Sequence, residues 1–123
     1  MSRTLLIALF SLVGLTSACG EKKGGADAQA AAEAKKIWNE RCVTCHGQDG
    51  SGTGPGAAAL AVKPRSFQDP VWQASVDNAR IAKVIVEGGA AVGLNPAMAP
   101  NPDLADKPKV VAELVEKVRS LAQ

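Results

Sequence analysis

The sequence predicts an all-α fold. Three stretches carry helical periodicity or strong helix formers, no alternation of period two competes with them, and glycine and proline cluster between them. Only four aromatic side chains, Phe10, Trp38, Phe67 and Trp72, and no tyrosine occur in 123 residues. One small domain is the most this length builds, and its centre must be filled by something other than aromatic side chains.

The first helix is expected from about Ala30 to Arg41, where Ala, Glu and Lys favour helix and Ala34, Ile37, Trp38 and Arg41 fall along one side. It runs directly into a pair of cysteines. The second starts near Asp77, a residue type that caps helix N-termini, places Ile81, Val84 and Ile85 on one face, and stops at Gly88-Gly89. Its β-branched residues lower its intrinsic propensity. The third follows Asp106, tolerates Pro108 in its first turn, and carries Val111, Leu114, Val115, Val118 and Leu121 at helical spacing, the strongest periodic signal in the chain. Between them lie a glycine-rich loop from Gly47 to Gly56, the stretch Lys63-Pro64-Arg65-Ser66-Phe67, and the proline-bracketed loop Asn95-Pro96-Ala97-Met98-Ala99-Pro100. There is no internal repeat.

Residues 1–18 read as an export signal: Arg3 gives a positive start, Leu5 to Leu15 an apolar stretch short for a membrane span, and Thr16-Ser17-Ala18 small residues before Cys19. Leu15-Thr16-Ser17-Ala18-Cys19 resembles a bacterial lipobox, with Leu one place further from the cysteine than usual. Processing there would make Cys19 the acylated first residue. Ordinary cleavage near Ala18 is the alternative, and would leave an unpaired thiol in an oxidising compartment. Residues 19–32, small and polar at their start, read as a flexible tether, and residues 33–123 as the folded domain. A formal charge of +2, from 14 basic and 12 acidic side chains with no long basic block, argues against nucleic acid as a partner.

The chemistry concentrates in Cys42-Val43-Thr44-Cys45-His46. Two thiols separated by two residues can each add to one of the two vinyl groups of a haem, with the adjoining histidine beneath the iron. Three other uses of the same residues stay open. A zinc site needs four ligands, and only Cys19 remains to join these three. A thioredoxin-like dithiol wants a strand before the motif, whereas a helix is expected there. A plain disulfide between Cys42 and Cys45 needs nothing else. His46 is the only histidine, so this chain cannot supply two imidazoles to one iron. Met1 departs with the signal, leaving Met98 as the methionine available for the second axial position. A thioether there would favour Fe(II) and raise the reduction potential; the alternative for Met98 is a side chain filling a core gap.

The order Ala34-Lys35-Lys36-Ile37-Trp38-Asn39-Glu40-Arg41-Cys42, then Cys45-His46-Gly47, Met98-Ala99-Pro100 and Leu114-Val115-Glu116-Lys117-Val118-Arg119-Ser120-Leu121 resembles the class I monohaem cytochrome c family. The likeness covers about residues 33–123. It implies three main helices and loops around one covalent haem c, with the N-terminal helix crossing the C-terminal one. Two departures stand out: Ala99 where a second proline is frequent, and Lys117 where an aromatic residue is common. The resemblance further implies that the Pro55 carbonyl accepts a hydrogen bond from the other nitrogen of His46, and that Arg65 and Trp72 bind haem propionates. A turn at Gly54-Pro55, a solvated Arg65 and a core Trp72 are the alternatives. Trp38 reads as core between the terminal helices. The loop Gly47 to Gly56 lacks the endings of phosphate and calcium loops.

With His46 and Met98 as iron ligands, no coordination place is open to a substrate. The expectation is an electron carrier rather than an enzyme, a monomer meeting redox donors and acceptors transiently, exported to the periplasmic side of a bacterial membrane and held there by a lipid on Cys19. Two alternatives remain: a haem-based small-ligand sensor in which Met98 dissociates, and a fixed cytochrome subunit of a membrane redox complex.

Overall fold

A computed structural model describes residues 24–123. Residues 1–18, expected to be an export signal, and Cys19, the expected site of acylation, lie outside the described residues. Five α-helices form: α1 Gly25–Ile37, α2 Val43–His46, α3 Pro70–Ser75, α4 Asn78–Glu87 and α5 Pro108–Arg119, with 3-10 turns at Pro55–Ala59, Ala90–Val92 and Pro102–Leu104. Among the described residues there is no strand, and no helix is long and apolar enough to cross a membrane. The class of fold is the all-α one expected.

Two helix boundaries differ from expectation. Helix α1 begins at Gly25, ahead of the expected start at Ala30, so residues 25–32, expected in the tether, are helical. Alanine loses almost no side-chain entropy in a helix, and here Ala30 and Ala34 are also buried at 6% and 4% exposure. Asp27 and Glu33 each meet a lysine of the C-terminal region at 2.7 Å, Lys109 and Lys107 respectively. At its other end α1 does not stop at Arg41. The chain continues through a π-helical turn, Trp38–Cys42, into α2, and closes at Gly47, whose φ of 79° suits glycine.

Helix α3 was not expected, although its start is written in Asp69-Pro70. Asp69 accepts from the backbone N–H groups of Val71 at 2.9 Å and Trp72 at 3.2 Å, and proline takes the first helical position, where no donor is needed. Helix α4 is capped by Asp77, which accepts from the Arg80 N–H at 2.7 Å, and ends at Gly88 with φ 78°.

Helices α1 and α5 pack together, and one core joins Ala30, Ala34, Ile37 and Trp38 to Val110, Val111, Leu114, Val115 and Val118, with Phe67, Ile81 and Leu104 completing it. Leu104 and Leu114 are its largest fully enclosed side chains. Lys117, standing where an aromatic residue is common, places its Nζ 5.3 Å from the centroid of the Trp38 ring, so a cation replaces a second ring against the indole. Arg119 fastens the end of α5 to the α3–α4 link by donating to the Gln73 and Val76 carbonyls and to Asn78 Oδ1.

Candidate functional site

The π-helical turn and α2 deliver Cys42, Cys45 and His46 to the wall of a chamber of about 720 Å³. Both cysteines are half-buried. Burial pushes the Cys42 thiol up to about 11, only partly opposed by the adjacent Arg41 guanidinium. Burial also lowers the pKa of His46, which keeps its imidazole neutral near pH 7. The His46 ring stacks on Phe67, with centroids 4.4 Å apart and planes 16° from parallel. Its Nδ1 lies 3.3 Å from the Arg65 carbonyl oxygen. A carbonyl only accepts, so in this contact Nδ1 carries the hydrogen and Nε2 keeps its lone pair for a metal.

That contact corrects one expectation. The partner of the imidazole is the Arg65 carbonyl and not that of Pro55, and Pro55 is absent from the chamber lining. The reason lies in the neighbouring glycines. Gly54 donates its N–H to the Cys45 carbonyl at 3.1 Å, and a Cβ on it would stand 2.4 Å from the Val43 carbonyl oxygen. The segment is therefore pressed against the α2 backbone, where Pro55 opens the 3-10 turn.

The link between α4 and α5 brings Met98 to the same chamber. The loop is held by its backbone: the Gly89 N–H donates to the Met98 carbonyl at 2.8 Å, Leu94 N–H to Gly89 at 2.8 Å, and Met98 N–H to Asn95 at 3.2 Å. Asn101, three residues on, donates from Nδ2 to the Ile85 carbonyl and from its N–H to Val86. Gly88 and Gly89 permit this approach, since a Cβ on either would fall within 3 Å of loop backbone atoms.

The remaining lining is mostly apolar, with Leu60, Val62, Phe67, Ile81, Val84 and Ile85 among it. Four cationic side chains, Arg41, Lys63, Arg65 and Arg80, also line it, and among the described residues no Asp or Glu does. Trp72 lines it too, half-buried, with its ring 5.4 Å from that of Phe67 and 6.0 Å from the Arg65 guanidinium. Six of the seven expected chamber residues, Cys42, Cys45, His46, Met98, Arg65 and Trp72, therefore meet at one place. Sequence reasoning missed Lys63, Arg80 and Asn101, which carry no motif and become neighbours of the chamber only through the fold.

This chamber suits a haem on the chemistry of its donors: two thiols and an imidazole on one helical segment, a thioether on a loop, apolar walls, and cations without competing carboxylates for the two acidic arms of the macrocycle. An all-α domain with such a chamber behind a Cys-x-x-Cys-His helix defines a c-type cytochrome. The chain belongs to the family described as cytochrome C oxidase, cbb3-type, subunit III, whose model matches residues 29–115. Among solved structures it is similar to KustC0563 c-type cytochrome, with 34% identity and a TM-score of 0.55, over 73% of this chain and 98% of that one. No curated protein matches it. Its function is haem-based electron transfer, with redox proteins as partners.

Proposed function

We propose that this cytochrome is an exported carrier of single electrons, in which Cys42 and Cys45 would join one haem c and His46 and Met98 would hold its iron. The observation that carries the reading is the meeting of the paired cysteines and His46 with Met98 at one apolar chamber whose charged lining is cationic only. The bound group supplies a one-electron Fe(II)/Fe(III) couple. The protein's own residues do the rest. Hydrogen bonding of His46 Nδ1 to the Arg65 carbonyl fixes the ring and leaves Nε2 as the donor atom. Backbone contacts at Gly89 and Asn95 hold the Met98 loop in place, and Arg65 and Trp72 stand where a cation and an indole N–H can bind carboxylates. If His46 and Met98 both held the group, this chain would leave no place on it for a substrate, and its chemistry would be one-electron transfer between proteins.

Residues 1–18 serve as the export signal, and a lipid on Cys19 with the short segment after it tethers a monomeric domain to the periplasmic side of a membrane. The family match favours a second reading of the same chemistry, in which the domain is a fixed subunit of a membrane redox complex. Extraction of membranes in mild detergent separates the two, because a fixed subunit migrates with its complex and a carrier migrates alone.

Matured protein should weigh the processed chain plus one haem and give the pyridine haemochrome of a c-type group; a colourless chain of bare polypeptide mass would end the proposal. Met98→Ala should lower the reduction potential and remove the sulfur-to-iron charge-transfer band of the oxidised protein. An unaltered spectrum and potential would take Met98 out of the iron's coordination. Intact mass should also show acyl chains on Cys19, and a soluble chain without them would dispose of the lipid tether.

A further inference from the structure

Arg41 stands directly before Cys42, and its guanidinium crosses to the segment that follows Met98. Nη1 and Nη2 donate to the two carboxylate oxygens of Asp103 at 2.9 and 3.0 Å, and Nη1 donates also to Asn101 Oδ1 at 3.1 Å. Asn101 is itself fixed to the last turn of α4 by its own two donors, to the Ile85 and Val86 carbonyls. One guanidinium fork thus joins three parts of the chamber wall: the cysteine-bearing segment, the end of α4, and the chain leaving the methionine loop. Among the described residues the other ion pairs do not join separate parts of the chamber wall. Lys36–Glu40, Arg65–Asp69 and Lys83–Glu87 span four residues each, and the Lys107–Glu33 and Lys109–Asp27 pairs join α5 and the residue before it to α1.

We infer that Arg41 is a positioning residue for Met98. With Asp103 and Asn101 it keeps the methionine loop closed on the paired-cysteine segment, and so sets how readily an added ligand replaces the thioether on iron. The inference rests on the axial ligation proposed above. Release of Met98 requires its loop to leave the chamber, and the loop's C-terminal end is what the fork holds. Charge-assisted, two-pronged hydrogen bonds are the strong kind, while half-exposed ion pairs contribute little. The expected effect is therefore a change of about three- to tenfold in the balance between closed and open loop.

The test titrates oxidised holoprotein with imidazole, which competes with the thioether. Arg41→Gln and Asp103→Asn should each bind imidazole about three- to tenfold more tightly than wild type, and the double variant no more tightly than Arg41→Gln alone, since the Arg41–Asp103 contact is missing from all three and the Arg41–Asn101 contact from both that lack the guanidinium. Arg41→Lys, which keeps the charge and loses the fork, should recover only part of the wild-type resistance. Each variant should retain its charge-transfer band before imidazole is added. Lys83→Gln removes an exposed ion pair of α4 and should leave the affinity unchanged. Equal affinity in wild type, Arg41→Gln and Asp103→Asn overturns the inference, as does an equal gain in Lys83→Gln. Met98→Ala separates the two levels. If it binds imidazole no more tightly than wild type, the thioether was never on iron and the ligation itself fails; if it binds more tightly while the clamp variants do not, only the role of Arg41 fails. Should Arg41→Gln mature poorly because it adjoins Cys42, Asp103→Asn, 61 positions from that cysteine, decides the matter alone.

Discussion

Gly89 is where a single methyl group would do most harm to the Met98 loop. Its φ of −65° is ordinary, so the demand for glycine is steric: a Cβ would stand 2.1 Å from the Asn95 carbonyl oxygen and 3.3 Å from Met98 Cβ. Overpacking of this kind costs about 1–3 kcal/mol. Gly89→Ala is expected to lower stability by that amount in denaturant titrations and to weaken the charge-transfer band, because the loop must move off α4. Asp103 carries a pH dependence. The Arg41 guanidinium, first by hydrogen bonding and then by charge, holds its carboxyl below the ordinary carboxylate value. A depressed folded-state value means that stabilisation is present above the unfolded value of about 3.9 and lost as pH falls through the folded one. The stability gap between wild type and Asp103→Asn should be open at pH 6 and narrow as the pH falls below about 3.9. At this scale the sequence reveals what spacing encodes. Cys42, Cys45 and His46 stand out because their spacing is that of a haem-attachment motif, and Met98 because the other methionine, Met1, falls in the expected export signal. Arg41 is legible only as a helix residue, since its partners sit about 60 positions away. The partner of His46 was misassigned to Pro55 because a carbonyl's direction depends on how Gly54 packs, which no motif records.

Helices α4 and α5 could be read from their stripes and caps, and Asp77 and Pro108 occupy the positions their chemistry suggests. The start of α1 could not, because Gly24-Gly25 mimics a linker and only the burial of Ala30 and the contacts of Asp27 and Glu33 with the C-terminal lysines show why the helix extends so far. The π-helical turn at Trp38–Cys42 was equally hidden, since an α-helical pattern accommodates the same residues. The α1–α5 crossing bears much of the core. Leu114, 2% exposed, lies at its centre and lines a small cleft shared with Trp38, His46 and Met98. Leu114→Ala should therefore cost about 2–5 kcal/mol, the range for truncating a buried leucine. Chemical unfolding followed by far-ultraviolet circular dichroism measures it. Val71→Ala on α3, where the side chain is 77% exposed, should change stability by less than about 0.5 kcal/mol.

At the scale of the whole molecule, charge is balanced in number and unbalanced in place. Setting aside Arg3, Lys22, Lys23 and Glu21, residues 24–123 carry eleven basic and eleven acidic side chains. Of these, Arg41, Lys63, Arg65 and Arg80 line the chamber and no acidic residue joins them. Among the described residues Lys63 and Arg80 donate only to backbone carbonyls, of Ala57 and Val92, and pair with no carboxylate. Arg41 and Arg65 are paired with Asp103 and Asp69, so the unpaired charge of the lining rests on Lys63 and Arg80, and Val62 and Leu94 of the same lining are 58% and 52% exposed. Such a field steers encounters without requiring net charge. An anionic small-molecule reductant should react with the oxidised protein several-fold faster than a cationic one of matched potential at ~0.01 M salt, where screening acts over about 30 Å. At ~1 M salt, where that length shrinks to about 3 Å, the two rates should converge. Lys63→Gln with Arg80→Gln should bring the rates together already at low salt. Stopped-flow absorbance reads all of these. A rate ratio indifferent to salt would place electron entry on another face of the domain, because the cations of the rim act only on what approaches them.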